Sequence, residues 1–147
     1  MIIKSLDHLN TLSKKVADRV VENDNIFLIG EIGVGKTTFT RYFINYLQQK
    51  EGVKVTEVLS PTFNLLYEYN LKNYKILHYD LYRINQEKEL NNLGLFQEEA
   101  SAVKIIEWPN VIQTPLSDKL EIFLDYAKKE NEREVRFLGT GKWEDFK

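Results

Sequence analysis

The chain has 147 residues, 43% of them hydrophobic, which suits one domain over residues 1–147 with one substantial core. Twenty basic residues against 22 acidic leave a net charge of −2, so no chain-wide field would hold the protein on DNA, on an RNA backbone or on an anionic membrane. With no cysteine, disulfides, thiolate metal sites and a thiol nucleophile are excluded.

The opening residues, Met1 to His8, lack the apolar core of a signal peptide, and no run approaches membrane-spanning length; a cytoplasmic protein is expected. Leu6, Leu9, Leu12, Val16 and Val20 recur at three and four residues, which predicts an amphipathic helix over Ser5 to Glu22. Asn25 to Ile29 is a continuous apolar run, read as a buried strand. Behind it comes Gly30-Glu-Ile-Gly-Val-Gly-Lys-Thr37, the pattern G-x-x-x-x-G-K-[ST] of a phosphate-binding loop, followed by helical spacing from Thr38 to Gln49. Strand, loop and helix in that order are what the mechanism needs. The glycines let successive backbone N–H groups curl inward at the positive end of the helix and form a nest for a triphosphate. Glu31, Ile32, Gly33, Val34, Gly35, Lys36, Thr37 and Thr38 are therefore the candidate nucleotide-binding residues. Lys36 supplies a point charge for the outer phosphates and Thr37 a hydroxyl for the Mg²⁺ that nucleotide phosphates bring with them.

Phe39, Phe43, Tyr46 and Leu47 make the inward stripe of that helix. Val53 to Leu59 has strand character and leads into Ser60-Pro61-Thr62-Phe63, where proline breaks regular structure. A hydroxyl in such a segment can follow the outer phosphate; Thr62 is the candidate. Leu65 to Tyr69 and Tyr74 to Tyr79 read as a hairpin, and the second strand runs on to Asp80, a carboxylate at a strand's carboxyl end where magnesium beside phosphates needs an oxygen. Arg83 is a candidate cation for charge developing on the transferred phosphoryl group, with a surface pair to Asp80 or Glu87 as its plain alternative. His78 is read as a packing or hydrogen-bonding residue within its strand. A short helix is expected between an Asn85 cap and a Gly94 stop. Ala102 to Ile106 is a further apolar strand delivering a second acid, Glu107, followed by Trp108, here a nucleotide-contacting candidate although an indole in such a place more often packs. One acid should serve the metal and the other orient water, and spacing does not fix which. Thr37, Asp80 and Glu107 together are the candidate magnesium ligands. Leu120, Ile122 and Leu124 alternate, as do Val135 and Phe137 beyond a charged turn, which predicts a C-terminal edge hairpin.

Taken together, Gly30 to Phe39, Ser60-Pro-Thr-Phe63, His78-Tyr-Asp-Leu-Tyr-Arg83, Leu93-Gly94 and Ile106-Glu-Trp-Pro109 resemble the bacterial TsaE-type ATPases of tRNA threonylcarbamoyladenosine synthesis, in the family's order and spacing. The resemblance spans nearly the whole chain, although Glu31 and Val34 differ from the commoner residues and the tail after Pro109 agrees only in strand character. It implies that Lys36 and Thr37 hold phosphate and metal, that Ser60 to Phe63 forms a switch segment, and that Asp80 and Glu107 are the essential acids. It implies partnership with TsaD and TsaB, and with tRNA only through them, ATP being hydrolysed so that modification can continue over repeated turnovers.

The expected fold is α/β, phosphate-loop NTPase-like and three-layered, with a mainly parallel sheet, antiparallel additions and that C-terminal hairpin. The working assignment gives the metal to Asp80 and the attacking water to Glu107, with Lys36 stabilising charge on the leaving diphosphate. Five arginines in the whole chain and no arginine-rich lid predict slow hydrolysis alone and faster hydrolysis with partners. A small nucleotide kinase would need arginines to clamp an acceptor phosphate. A GTP switch would carry N-K-x-D, which is absent. A nucleotide-sensing module with incidental hydrolysis is the remaining rival.

Overall fold

A computed structural model describes residues 1–96 and 101–147. In chain order the elements are β1 (Ile2–Ile3), α1 (Leu6–Arg19), β2 (Asn25–Ile29), α2 (Lys36–Lys50), β3 (Leu66–Asn70), β4 (Lys75–Asp80), β5 (Ala102–Glu107), β6 (Lys119–Tyr126) and β7 (Arg133–Thr140). Short 3₁₀ turns lie at Glu87–Leu93, Pro109–Val111 and Gly141–Trp143.

The seven strands form one sheet in the order β1-β7-β6-β2-β5-β4-β3. Its middle four, β6, β2, β5 and β4, are parallel neighbours, while β3, β7 and β1 are antiparallel additions, as expected of this fold class. Because side chains alternate across a strand, β4 sends Ile76, His78 and Asp80 to one face and Leu77 and Tyr79 to the other. The first face packs under α1 and α2 around Leu9, Val16, Phe39, Phe43, Ile76 and Ile105. The second is closed by the segment around Leu90 and Leu95, packed on Phe27, Tyr79 and Ile106. Helix α1 starts where Ser5 accepts a hydrogen bond from the His8 amide at 3.1 Å, a side-chain N-cap. Of its anticipated stripe, Leu9, Leu12 and Val16 are buried, whereas Leu6, in the first turn, faces solvent.

Two local readings change. Val53 to Leu59 forms no strand and pairs with none among the described residues: its backbone is bonded to α2, the Val53 amide to the Gln48 carbonyl at 2.9 Å and the Thr56 amide to the Gln48 side chain at 3.2 Å. The helix expected from Asn85 is a 3₁₀ segment whose start is set at Gln86, the Glu89 carboxylate accepting from the Asn85 and Gln86 amides at 3.1 and 3.2 Å. The C-terminal hairpin forms with β6 inserted directly beside β2, and only two-residue β1 lies beyond β7. Among the described residues no helix is long and apolar enough to cross a membrane.

Candidate active site at the carboxyl edge of the sheet

Parallel strands end on the same side, and here β2, β5 and β4 deliver three groups to one edge: the loop from Gly30, Glu107 and Asp80. Glu107 and Asp80 are direct register partners on adjacent strands. The edge opens into a cleft of about 340 Å³ lined by Ile32, Gly33, Gly35, Lys36, Thr37, Thr38, Ser60, Thr62, Asp80, Tyr82, Glu107 and Trp108. Most of the nucleotide-binding candidates therefore meet in one place.

The loop's shape depends on its glycines. Gly33 and Gly35 have φ of +80° and +125°, and a Cβ at Gly30 would stand 2.4 Å from the Leu124 carbonyl oxygen of β6. Val34 turns the other way, its side chain buried in the core, and Glu31 is exposed, so neither side chain reaches the cleft. Lys36 is buried, its ammonium donating to the Glu31 carbonyl at 3.0 Å and to the Gly30 carbonyl, and standing 4.0 Å from the centre of the Trp108 ring. Burial lowers the Lys36 pKa, against the upward pull of the Glu107 and Asp80 charges. Trp108 takes a left-handed backbone (φ 57°), sparsely populated by bulky residues, and its ring packs at 4.8 Å from that of Tyr82.

The acids sit in different surroundings. Glu107 accepts from the Thr37 hydroxyl at 3.2 and 3.4 Å and lies 2.6 Å from Nε2 of His78, which is fully buried. An ionised carboxylate only accepts, so Nε2 carries the proton of that bond. Nδ1 of His78 is buried with no hydrogen-bond partner among the described residues. Asp80 accepts from the Tyr82 amide at 3.0 Å and from the Thr62 hydroxyl at 3.4 Å, and Thr62 in turn lies 2.8 Å from the Ser60 hydroxyl. Burial raises the Asp80 pKa and the Glu107 charge adds to that, while the Tyr82 amide, Thr62 and His78 pull it down.

Among the described residues no group of three or more His, Cys, Asp or Glu stands together as a metal-holding set. Two carboxylates and one hydroxyl do not make an all-protein cage. They do fit Mg²⁺, which keeps several waters and takes its other oxygens from substrate phosphates. Arg83 is not brought into the cleft; it is exposed, with its guanidinium 5.4 Å from the centre of the Phe63 ring. His78, read as packing or hydrogen-bonding within its strand, reaches beyond that strand to an acid of the site. It bonds across to the neighbouring strand, two register positions from its own partner Ile105. The signal was its place two residues before Asp80, hence on the same face, once β4 and β5 are known to pair.

The model of the family described as "Threonylcarbamoyl adenosine biosynthesis protein TsaE" matches residues 3–135. The chain belongs to the TsaE family. It is 36% identical over 118 residues to the tRNA threonylcarbamoyladenosine biosynthesis protein TsaE of Rickettsia conorii, covering 80% of this chain and 65% of that one. To the protein of the same name from Bacillus subtilis it is 33% identical over 138 residues, covering 92% and 82%. The crystal structure of Bacillus subtilis YdiB superposes with a TM-score of 0.72 at 26% identity, covering 96% of this chain and 84% of that one.

Proposed function

We propose that this TsaE-family chain acts as one domain that binds and hydrolyses Mg²⁺-ATP, and that hydrolysis supports repeated rounds of tRNA threonylcarbamoylation carried out with TsaD and TsaB in the cytoplasm. The observation that carries the reading is the Thr37–Glu107 hydrogen bond at the helix end of the phosphate loop, with Asp80 in register beside it. Family membership and the relatives' names support the tRNA-modification context.

In this reading the N–H groups of the loop and the start of α2 bind the phosphates, and Lys36 exchanges its loop carbonyls for phosphate oxygens. Water attacks the γ-phosphorus, the bond to the β–γ bridging oxygen breaks, and ADP and phosphate leave. Magnesium, when bound, would neutralise charge on the phosphate oxygens; Thr37 would hold it together with one of the two acids, Glu107 or Asp80. The Thr37 hydroxyl already points its hydrogen at Glu107, which favours Glu107 for the metal side. Asp80, tied to Thr62, is then the acid to orient water and accept its proton, the reverse of the working assignment. The absence of arginine from the cleft lining among the described residues favours water over a phosphorylated acceptor.

The test is phosphate release measured beside tRNA modification in a reconstituted mixture. Slow hydrolysis alone and faster hydrolysis with TsaD and TsaB are expected. Equal rates with and without them refute the partnership, and sustained multiple turnover with a non-hydrolysable ATP analogue refutes the need for hydrolysis.

A further inference from the structure

The outer side of the phosphate loop is bonded to the end of the C-terminal hairpin. Tyr126, the last residue of β6, donates its hydroxyl to the Ile32 carbonyl at 2.9 Å, and Arg133, the first of β7, donates Nε to the Val34 carbonyl at 3.0 Å. The Arg133 guanidinium also donates to the Glu130 and Glu132 carbonyls of the turn, both at 2.8 Å, and lies 4.6 Å from the centre of the Tyr126 ring. One arginine therefore ties turn, tyrosine and loop into a unit that stands behind the cleft and does not line it.

In a trans peptide the carbonyl of one residue and the N–H of the next point in opposite directions, and no peptide of the described residues is cis. Drawing the Ile32 and Val34 carbonyls outward to the hairpin thus turns the N–H groups of Gly33 and Gly35 the other way, and both glycines line the cleft. The hydroxyl of Tyr126 stands 3.1 Å from where a Gly33 Cβ would be, so any side chain at this positive-φ position would press on the tyrosine hydroxyl. We infer that Tyr126 and Arg133 are positioning residues: they hold two amides of the anion nest toward the nucleotide's phosphates and so set nucleotide affinity from outside the site. This rests on the nucleotide-binding reading above.

The test is titration of MgADP and MgATP into the wild type, Tyr126→Phe, Arg133→Gln and Arg133→Lys, with thermal melting of each, with and without MgADP. Tyr126→Phe loses one hydroxyl and keeps its ring, so Kd should rise about 3- to 10-fold, the ratio implied by one net hydrogen bond. Arg133→Gln should raise Kd by about tenfold or more, and Arg133→Lys should recover part of the loss. Amides that hold phosphate alike before and during reaction predict a raised KM with kcat within about twofold of wild type. Melting without nucleotide should change little for Tyr126→Phe while the upward shift on adding MgADP shrinks. Wild-type Kd in both Tyr126→Phe and Arg133→Gln overturns the inference, as does an equal fall in melting temperature with and without MgADP. Should Arg133→Gln fail to fold, Tyr126→Phe decides alone. A wild type that binds neither nucleotide overturns the nucleotide reading itself, and this inference with it.

Discussion

Replacing His78 by leucine tests how the site holds its acid. The imidazole is fully buried, Glu107 is 3% exposed, and they meet at 2.6 Å. Leucine fills similar space but donates nothing, leaving Glu107, among the described residues, with the longer Thr37 bond. A hydrogen bond to a charged group contributes about 1.5–3 kcal/mol, and orphaning a fully enclosed charge costs about 3–5 kcal/mol. Glu107 lines the cleft and water can reach it, so the lower range applies, about 2 kcal/mol. For a domain of this size that is a fall in Tm of roughly 4–8 °C. A double-mutant cycle of His78→Leu with Glu107→Met, followed by denaturant unfolding, should return a coupling of about 2 kcal/mol. His78→Gln, which can still donate, should recover part of it. With Glu107 in its proposed role at the metal, freeing it should also lower ATP turnover about 10- to 100-fold, the range for residues that orient a metal ligand. Coupling below about 0.5 kcal/mol, within the scatter of independent sites, would refute the reasoning.

Lys36→Met should abolish ATP hydrolysis while changing stability by no more than about 1 kcal/mol, because the methylene stem stays packed and the desolvated ammonium is removed; phosphate release and thermal melting check both halves. Gly30→Ala puts a Cβ 2.4 Å from the Leu124 carbonyl oxygen of the neighbouring strand, so it should cost about 1–3 kcal/mol and weaken MgADP binding, read by melting and titration. Glu87 accepts from the Gln113 amide, from the Thr114 amide at 2.7 Å and from the Thr114 hydroxyl at 2.8 Å, which holds its carboxyl below the usual range. A pKa lower in the folded than in the unfolded state means these bonds are fully present above the ordinary carboxylate pKa, about 4.3, and are lost as pH falls through the depressed one. Amide exchange at Gln113 and Thr114 should lose protection in acid, and Glu87→Gln should remove that pH dependence.

What could be read from the sequence is what depends on near neighbours. The strand before Gly30, the loop and the helix after it follow from local spacing, as do the apolar runs ending in Asp80 and Glu107. The strand character of Val53 to Leu59 is a local property and does not say what the segment pairs with; here Gln48 of α2 takes the Val53 and Thr56 amides that a neighbouring strand could have taken. The edge position of the C-terminal hairpin was legible, but its support of the loop was not. Tyr126 lies 94 residues from Ile32, and Arg133 lies 99 from Val34. A side chain bonding to a carbonyl leaves no trace in the identity of the residue that owns the carbonyl.

The same limit explains why His78 and Glu107 must be understood through the sheet's register. In the parallel pairing of β4 with β5, Asp80 lies opposite Glu107 and His78 opposite Ile105, so all three polar groups share the face under α2. Sliding β5 by one residue would turn Glu107 toward the apolar second face and place Ile106 beside Thr37. The apolar residues between the acids and the histidine prevent this: Leu77, Tyr79 and Ile106 belong to one core cluster, Ile76, Val103 and Ile105 to the other. The register that buries both sets is the one that brings the two carboxylates and the imidazole together, so the packing of the core determines the geometry of the chemistry.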